Sequence, residues 1–403
     1  MNYREAIEWL FSTQLFGIKL GLDGPRQLLK EFLAFPDHGV KVIHVAGTNG
    51  KGSTCAMIDS IARASGSRSG LFTSPHLIDY RERIQVNGCH IPEENCSAML
   101  SELRAICEKF ETHPTFFEIT LALAMRWFRQ QHCELIVLET GMGGRLDATT
   151  AVPADVCVIT PISMDHAQWL GDTLATIAME KAGILVAGKP ALSSPQQADA
   201  HAVIEKEANE RRSPLTFIHE PLLGYTPAIP GEHQRWNAAL AVEALHLAGF
   251  HLNSDIIRLG LSSVRWPGRF ERIDRKIILD GAHNPHAATS LAQTWRDQFG
   301  NTMATLIFGA VASKDIAGIL EQLAPIARRI LFCPVDSPRA TPCEEMRCAL
   351  PPDAPEHSIH DTLETALKEA RKHEELIVIT GSLFLIGQAR AIFTEGDYQA
   401  SSQ

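Results

Sequence analysis

The chain has 403 residues and a mass of 44.3 kDa, a length that suits two or three domains of roughly 150 residues and excludes a single small module. Apolar residues make up 45% and charged residues 21%, with a mean hydropathy of -0.04, so sizeable cores can form and disorder or a fibrous repeat is excluded. Lys and Arg number 37 against 47 Asp and Glu, a formal net charge of -10; that sign excludes a nucleic-acid backbone or an anionic membrane as the main partner and leaves any anionic substrate to local positive groups.

At the N-terminus MNYREAIEWL carries Arg4, Glu5 and Glu8 where a signal peptide needs an apolar run, and no stretch of about 18 apolar residues follows. The nine cysteines are an odd number with no Cys-x-x-Cys and read as reduced thiols, so the expectation is a cytoplasmic protein. The first strand pattern, VKVIHV over 40–45, enters a glycine-rich loop at Gly47 and is followed by an apolar-periodic helix over 54–64. Strand patterns follow at 134–138, 155–160, 189–193 and 215–218, with helices between them over 93–110, 115–132, 173–182, 198–211 and 235–247. Such alternation implies an α/β fold with a mostly parallel sheet covered on both faces.

Near Ser263 the text changes to VRWPGRFERIDRK, Pro and Gly among charges, which sets a domain boundary. The expected organisation is an N-terminal P-loop-type α/β domain over 1–265, a hinge linker over 266–275, and a smaller C-terminal Rossmann-like α/β domain over 276–403. In the second domain strands fit 277–279, 303–308, 330–333 and 375–380, and helices fit 287–298, 316–328, 361–372 and 383–393. The stretch 334–355 is rich in turn residues and is expected to be the loosest section, and the tail TEGDYQASSQ to be frayed.

The loop Gly47-Thr48-Asn49-Gly50-Lys51-Gly52-Ser53-Thr54 carries the strongest local chemistry. Its glycines let backbone N–H groups curl around phosphate oxygens, the helix N-terminus adds partial positive charge, and Lys51 supplies a full one, so an ATP-type triphosphate is the natural ligand. The order departs from the strict Walker spacing, since two residues separate Gly47 from Gly50 and Gly52 intervenes between Lys51 and Ser53. Glu139 and His166 each lie at or just past the end of a buried-strand pattern, where open α/β sheets hold ligands, and together they suggest a metal site. Taken singly, Glu139 also fits a helix cap and His166 a loop histidine. Gly141, Gly143 and Gly144 form either a tight turn or a substrate-binding turn, flanked by Arg145 and Asp147. Lys181, on a helix, reads from composition as a surface lysine. Asp280-Gly-Ala-His283-Asn284-Pro285 closes a strand and opens a helix; an N-cap accounts for Asn284 or Asp280, but not for an aspartate and a histidine together.

Read in order, GLDGPRQLL from Gly21, HVAGTNGKGST from His44, TSPHL from Thr73, RERIQVNG from Arg81, PTFFEITLALA from Pro114, LETGMGGRLDAT from Leu138, MDH from Met164, EKAGI from Glu180, GEHQRWNAA from Gly231, WPGRFE from Trp266, LDGAHNPHA from Leu279, FGAVASKD from Phe308 and TGSLFLIG from Thr380 resemble the folylpolyglutamate synthase and dihydrofolate synthase family of the Mur ligase superfamily. The series spans nearly the whole chain and is similar to the bacterial enzymes carrying both activities. It departs from the usual family text at Thr150, often Asn, and at Ser313, often Asp.

The resemblance implies ATP-dependent amide bond formation: a substrate carboxylate takes the γ-phosphate, and the acyl phosphate is attacked by the amine of L-glutamate. Carried over, Asn49, Gly50, Lys51, Gly52 and Ser53 correspond to the phosphate-binding segment, and Ser74, Glu139 and His166 to magnesium ligands. Lys181 corresponds to a lysine that the superfamily carbamylates to hold a second magnesium, and a potassium ion is a further implied cofactor. Asn237, Arg269 and Asp280 match positions that contact ATP, and His283 a position important to closure over the acyl phosphate, giving Lys51, Lys181 and His283 as the catalytic set. Gly21, Leu22, Asp23, Phe117, Glu118, Ile119, Thr120, Leu146, Asp147 and Ala148 resemble the dihydropteroate site. The implied partners are dihydropteroate, reduced folates and L-glutamate, with no nucleic acid and no membrane, and the implied state is a monomer. Another Mur-type ligase, acting on a cell-wall nucleotide, would need an additional N-terminal domain, whereas only ~40 residues precede the phosphate loop. A nucleotide-regulated binding protein without turnover is the alternative of a different class.

Overall fold

The computed structural model describes the chain apart from residues 18, 20, 166, 395–397 and 401–403 and the side chains of 167 and 168. It divides into two compact units, one formed by Met1–Pro75, Arg81–Thr226 and Arg235–Val264, the other by His76–Tyr80, Pro227–Gln234 and Arg265–Gln403.

The first unit is built on eight strands: β1 Lys41–Ala46, β2 Ser69–Phe72, β3 Ile84–Val86, β4 Cys89–His90, β5 Leu135–Glu139, β6 Val156–Ile159, β7 Ala191–Ser193 and β8 Leu215–Phe217. Their order is β4-β3-β2-β5-β1-β6-β7-β8; the six strands β2-β5-β1-β6-β7-β8 pair in parallel, and β3 and β4 add an antiparallel edge. Strands β5 and β6 are buried along their whole length, as expected of a parallel sheet with both faces covered. The chain leaves β1 through the helix Lys51–Ala64 for β2 on one side, and leaves β5 for β6 on the other. Connections therefore part at β1, and the carboxyl ends of β1 and β5 border a topological switch point, the crevice where such sheets bind ligands. Register keeps these ends level, with Val45 opposite Glu139 and Ala46 opposite Ile159. Behind the sheet, Ser60 donates to the Gly260 carbonyl at 2.7 Å, and a Cβ on Gly260 would stand 2.5 Å from the Ile61 backbone, so the helix Ser254–Ser263 lies directly on Lys51–Ala64.

In the second unit β9 Glu271–Arg272, β10 Ile277–Leu279, β11 Ala304–Phe308, β12 Ala327–Phe332, β13 Glu356–Ile359 and β14 Leu376–Thr380 take the order β13-β12-β11-β14-β10-β9, all parallel except the β9–β10 pair. Alternate residues feed two cores. Ile278, Leu306, Phe308, Ile330, Phe332 and Val378 pack with Trp295 on one face, and Ile277, Leu279, Ile307, Leu331, Ile377 and Ile379 pack with Leu77 and Leu385 on the other, the period-2 arrangement of a sheet covered on both sides.

Several expectations are corrected. The helix expected over 316–328 stops at Leu323; Ala324–Ile326 is a 3-10 turn, and Ala327–Phe332 is strand β12. Pro325 has no N–H to continue the helix, while the apolar residues beyond it keep a spacing that a buried strand shares with a helix. The 334–355 stretch contains a short helix, Cys343–Cys348, and the 266–275 segment contributes β9. The described part of the tail is not frayed. Gln399 donates its N–H to the Ile78 carbonyl at 2.8 Å and accepts from the Tyr80 N–H at 2.9 Å, and its carbonyl lies 2.9 Å from His76 Nε2. All nine cysteines are free, and no helix among the described residues is long and apolar enough to cross a membrane.

Replacing Gln399 by Ala removes the side-chain acceptor of a main-chain N–H on a buried residue, so the second unit should lose about 1 kcal/mol of stability. An unchanged midpoint in urea would show that the tail does not engage the 76–80 segment.

Candidate active site

The site of the first unit is assembled from the loops at the carboxyl ends of four adjacent strands. After β1 the backbone turns at Gly47, where a Cβ would stand 1.9 Å from Thr160 Oγ1, so only glycine lets the loop pass β6. Thr48 and Asn49 donate their N–H groups to the Pro161 carbonyl at 3.0 and 3.2 Å. Thr48 Oγ1 donates to the Ser163 carbonyl, and Asn49 Nδ2 to Ser163 Oγ, both at 3.1 Å. Gly50 sits in the left-handed region, φ 84°, and precedes the helix Lys51–Ala64 without a side-chain cap. The N–H groups of that first turn receive no side-chain cap, the arrangement in which a helix N-terminus can take an anion. A Cβ on Gly50 would meet Asn237 Oδ1 at 2.6 Å, which brings Asn237 of the helix His233–Leu247 against the loop.

Glu139 ends β5 and is 4% exposed; it accepts the Ser74 N–H, just beyond β2, at 3.1 Å. Ser74 Oγ is buried without a hydrogen-bond partner among the described residues. A carboxylate beside an orphaned hydroxyl fits a hard divalent cation that completes its shell with water and phosphate oxygens. Among the described residues no three His, Cys, Asp or Glu side chains converge, and His166 lies outside the described residues.

Composition puts Lys181 at the surface, but the structure buries it to 4% exposure. It lies in the last turn of the helix Leu174–Ala182, and its Nζ donates to the Gly47 carbonyl at 2.7 Å. Burial, reinforced by the Lys51 charge and opposed by Asp165 and Asp147, brings its amine down to about 7. The turn after β5 packs on the same helix end. The Arg145 N–H donates to the Glu180 carbonyl at 2.7 Å, and a Cβ on Gly144 would stand 2.7–2.8 Å from the Glu180 and Lys181 carbonyls.

Asp147 is buried, with its carboxylate accepting from the Met142 and Thr149 N–H groups at 2.9 and 3.0 Å and from Thr149 Oγ1 at 2.5 Å. Burial pushes its carboxyl up against those donors. Phe117, at the start of the helix Phe116–Gln130, lies where a Cβ on Gly141 would be 2.7 Å from its ring. Glu118 closes a capping box with Thr115, and its Oε1 would be 3.3 Å from a Cβ on Gly24. Phe117, Glu118, the start of the helix Asp23–Glu31 and the 140–150 turn are thus brought together in pairs. Ile119 and Thr120 are fully buried, and the Thr120 hydroxyl donates within its own helix to the Phe116 carbonyl at 2.7 Å. Asp23 instead has an exposed side chain, 4.0 Å from Arg26.

In the second unit Asp280 accepts the Phe270 and Ala282 N–H groups at 2.8 and 2.9 Å. Burial pushes its carboxyl up while Arg269 beside it pulls the other way. A Cβ on Gly281 would stand 2.3 Å from Arg269 Nη1, so glycine is what lets that guanidinium lie across the strand end. His283 Nδ1 is 2.8 Å from the Gly281 carbonyl, and Asn284 caps the helix Pro285–Phe299 through the Ala287 N–H. Two residues passed over in the sequence belong with these groups. His233 stands near Arg269 and His286, and its imidazole is brought down to about 4, mainly by desolvation. In the first unit His44, within β1, is 1% exposed with Nε2 2.8 Å from Thr149 Oγ1; its signal was a lone polar residue in an apolar strand.

Residues 45–217 match the Mur ligase middle domain, and residues 268–383 match the Mur ligase glutamate ligase domain. The Bacillus subtilis dihydrofolate synthase/folylpolyglutamate synthase is 34% identical over 96% of this chain and 98% of its own. The chain belongs to the dihydrofolate synthase/folylpolyglutamate synthase family of Mur ligases. Among solved members of the family, Escherichia coli FolC in complex with DHPP and ADP superposes with a TM-score of 0.85 at 29% identity, covering 97% of this chain and 98% of that one. The bifunctional folylpolyglutamate synthase/dihydrofolate synthase of Yersinia pestis, complexed with AMPPNP and a manganese ion, gives 0.87 at 29% identity and 98% of both chains.

Burial holds the His44 imidazole down to about 3, against about 6.5 in an unfolded chain. Between those values the unfolded state binds the extra proton, so this group's contribution to stability is intact above pH 6.5 and is lost as pH falls toward 3, by at most about 1.4 kcal/mol per pH unit. His44→Gln, which cannot titrate, should shallow the acid limb of a stability–pH curve by up to one proton; an unchanged slope would contradict the burial.

Proposed function

We propose that this chain is an ATP-dependent carboxylate–amine ligase that adds L-glutamate to dihydropteroate and to the γ-carboxyl of reduced folates. The observation that carries the reading is the Gly47–Lys51 loop, uncapped at Gly50 on the helix N-terminus, together with membership of a family whose curated member from B. subtilis carries both activities in its name.

The chemistry brings an anionic carboxylate against an anionic phosphoryl group, so neutralising and aligning charge is the main task of the protein. The N–H groups after Gly50 and the Lys51 ammonium cradle the β- and γ-phosphates. A divalent ion held by Ser74 and Glu139 would supply further positive charge there. The carboxylate oxygen attacks the γ-phosphorus, ADP leaves, and the acyl phosphate is attacked by the glutamate amine; the C–N bond forms as the C–O bond to phosphate breaks, and the amine loses its proton. Asn237 lines the loop from the neighbouring helix, and Arg269, Asp280 and His283 are the family's nucleotide and acyl-phosphate positions on the second unit. Phe117, Asp147 and the 140–150 turn form the pterin wall. The neutral Lys181 amine would add CO2 and release a proton to give a carbamate, whose anionic oxygens would be able to hold a second ion. An amine titrating at about 7 is largely neutral above that pH, the form the carbamate requires.

The deciding assay offers the purified protein ATP, magnesium and L-glutamate with dihydropteroate or a reduced folate in parallel, reading phosphate release and product mass. The expected result is phosphate release that needs both glutamate and an acceptor, with a one-glutamate mass gain on each. Release indifferent to glutamate, or none with either acceptor, overturns the reading in favour of a nucleotide-binding protein. Lys51→Ala should cut turnover by about 10²–10³-fold, as expected for removing one full charge from a developing anion. Lys181→Ala should be inactive and partly restored by a short-chain carboxylic acid; activity near wild type without it would remove the carbamate from the scheme.

A further inference from the structure

We propose that His44 is a positioning residue for the pterin wall, a neutral imidazole carrying its proton on Nε2 that fixes the Asp147 turn through the Thr149 hydroxyl. The proposal rests on the reading of that turn as the pterin side of the site.

His44 is the fourth residue of β1, paired with Leu138 of β5 and Cys157 of β6, so it is held in the middle of the sheet. Its Nε2 lies 2.8 Å from Thr149 Oγ1, itself fully buried. The direction of the chain of bonds is set by donor counting. Asp147 Oδ1 accepts the Thr149 N–H and Oδ2 accepts the Met142 N–H, so both oxygens already act as acceptors. The Thr149 hydroxyl therefore gives its one proton to Asp147, and the lone pair left on Thr149 Oγ1 can be met only by an N–H of His44. The ordered series is His44 Nε2–H to Thr149 Oγ1–H to Asp147 Oδ1. Burial disfavours a charged imidazole, and the bond to Thr149 gives the ring an orienting part.

What is oriented matters because Asp147 ties two ends of one turn. One oxygen holds Met142, next to Gly141 on which the Phe117 ring lies, and the other holds Thr149. Between them Arg145 and Gly144 rest on the carbonyls of Glu180 and Lys181. Without the His44 donor, Thr149 is free to turn its hydroxyl away, and Asp147 loses one of its bonds on the side facing β1.

The test compares His44→Leu, His44→Gln and Thr149→Val in the intact protein. Gln can offer an amide N–H in place of Nε2–H, and Leu cannot. His44→Leu and Thr149→Val should each raise KM for dihydropteroate about tenfold, the loss of roughly one buried hydrogen bond, and leave KM for ATP within about twofold. His44→Gln should recover most of the loss, and the double variant should be no worse than Thr149→Val alone. Equal shifts in both KM values, or additive losses, would overturn the proposal. A second measurement needs no turnover: in 15N-histidine spectra, the signal that disappears in His44→Gln should be that of a neutral ring protonated on Nε2 down to pH 5. An Nδ1–H ring or a charged one would overturn the proposal even if the ligase assay succeeds. With the expected ring form but no use of dihydropteroate, the functional reading fails instead.

Discussion

A lysine buried beside another lysine is a poor place for a proton, and the first unit is arranged around that conflict. Lys181 is withdrawn from water and its amine is tied to the Gly47 carbonyl, while the Lys51 charge adds repulsion. Neither a full cation nor an apolar side chain would satisfy the position, since the one is costly to desolvate and the other leaves Gly47 without its donor. The contact also joins two pieces of chain distant in sequence, the phosphate loop after β1 and the helix on which the 140–150 turn rests. The loop after β1 and the 140–150 turn thus meet at one helix end that carries a buried amine.

Close backbone approach is the second constraint, and glycine meets it at defined points. Gly47 passes Thr160 with no room for a Cβ, and Gly50 does the same beside Asn237. In the second unit Gly281 allows Arg269 to lie at the end of β10. At these points a methyl group would displace the Thr160 hydroxyl, the Asn237 amide or the Arg269 guanidinium. That is why these glycines were informative in the sequence, whereas others, such as Gly66 and Gly249, stand in open space and serve only as turns.

The central strands were legible because β1, β5, β6, β10, β11 and β14 are apolar runs bounded by turn residues. Strand β2 was not. Its sequence, Ser69-Gly-Leu-Phe72, lies among glycines and serines and looks like loop, yet Gly70 is there because the Phe128 ring leaves no space for a side chain. Edge strands β3, β4 and β9, of two or three residues, hold too few positions for any period to register. Lys181 shows a different limit: composition favours the surface, and only the resemblance carried by the surrounding EKAGI text implied a buried amine. Tail docking was invisible for a simpler reason, since Gln399 binds the main-chain groups of Ile78 and Tyr80, and a bond to backbone leaves no mark in the partner's side chains.

The proposed divalent-ion position at Glu139 and Ser74 would be overlooked by counting acidic and histidine clusters. A hard cation that travels with a nucleotide already has phosphate oxygens and water in its shell, so the protein need supply only one or two ligands. Glu139 and Ser74 meet that description: one carboxylate whose second task is to hold the Ser74 N–H, and one hydroxyl buried with no partner among the described residues. A richer acidic cage would work against the reaction, because every added carboxylate raises the negative charge that the incoming phosphates must face. In a chain with a net charge of -10, a lean ligand set, with Lys51 and a helix N-terminus in the same unit, would favour the anions that the proposed reaction brings together.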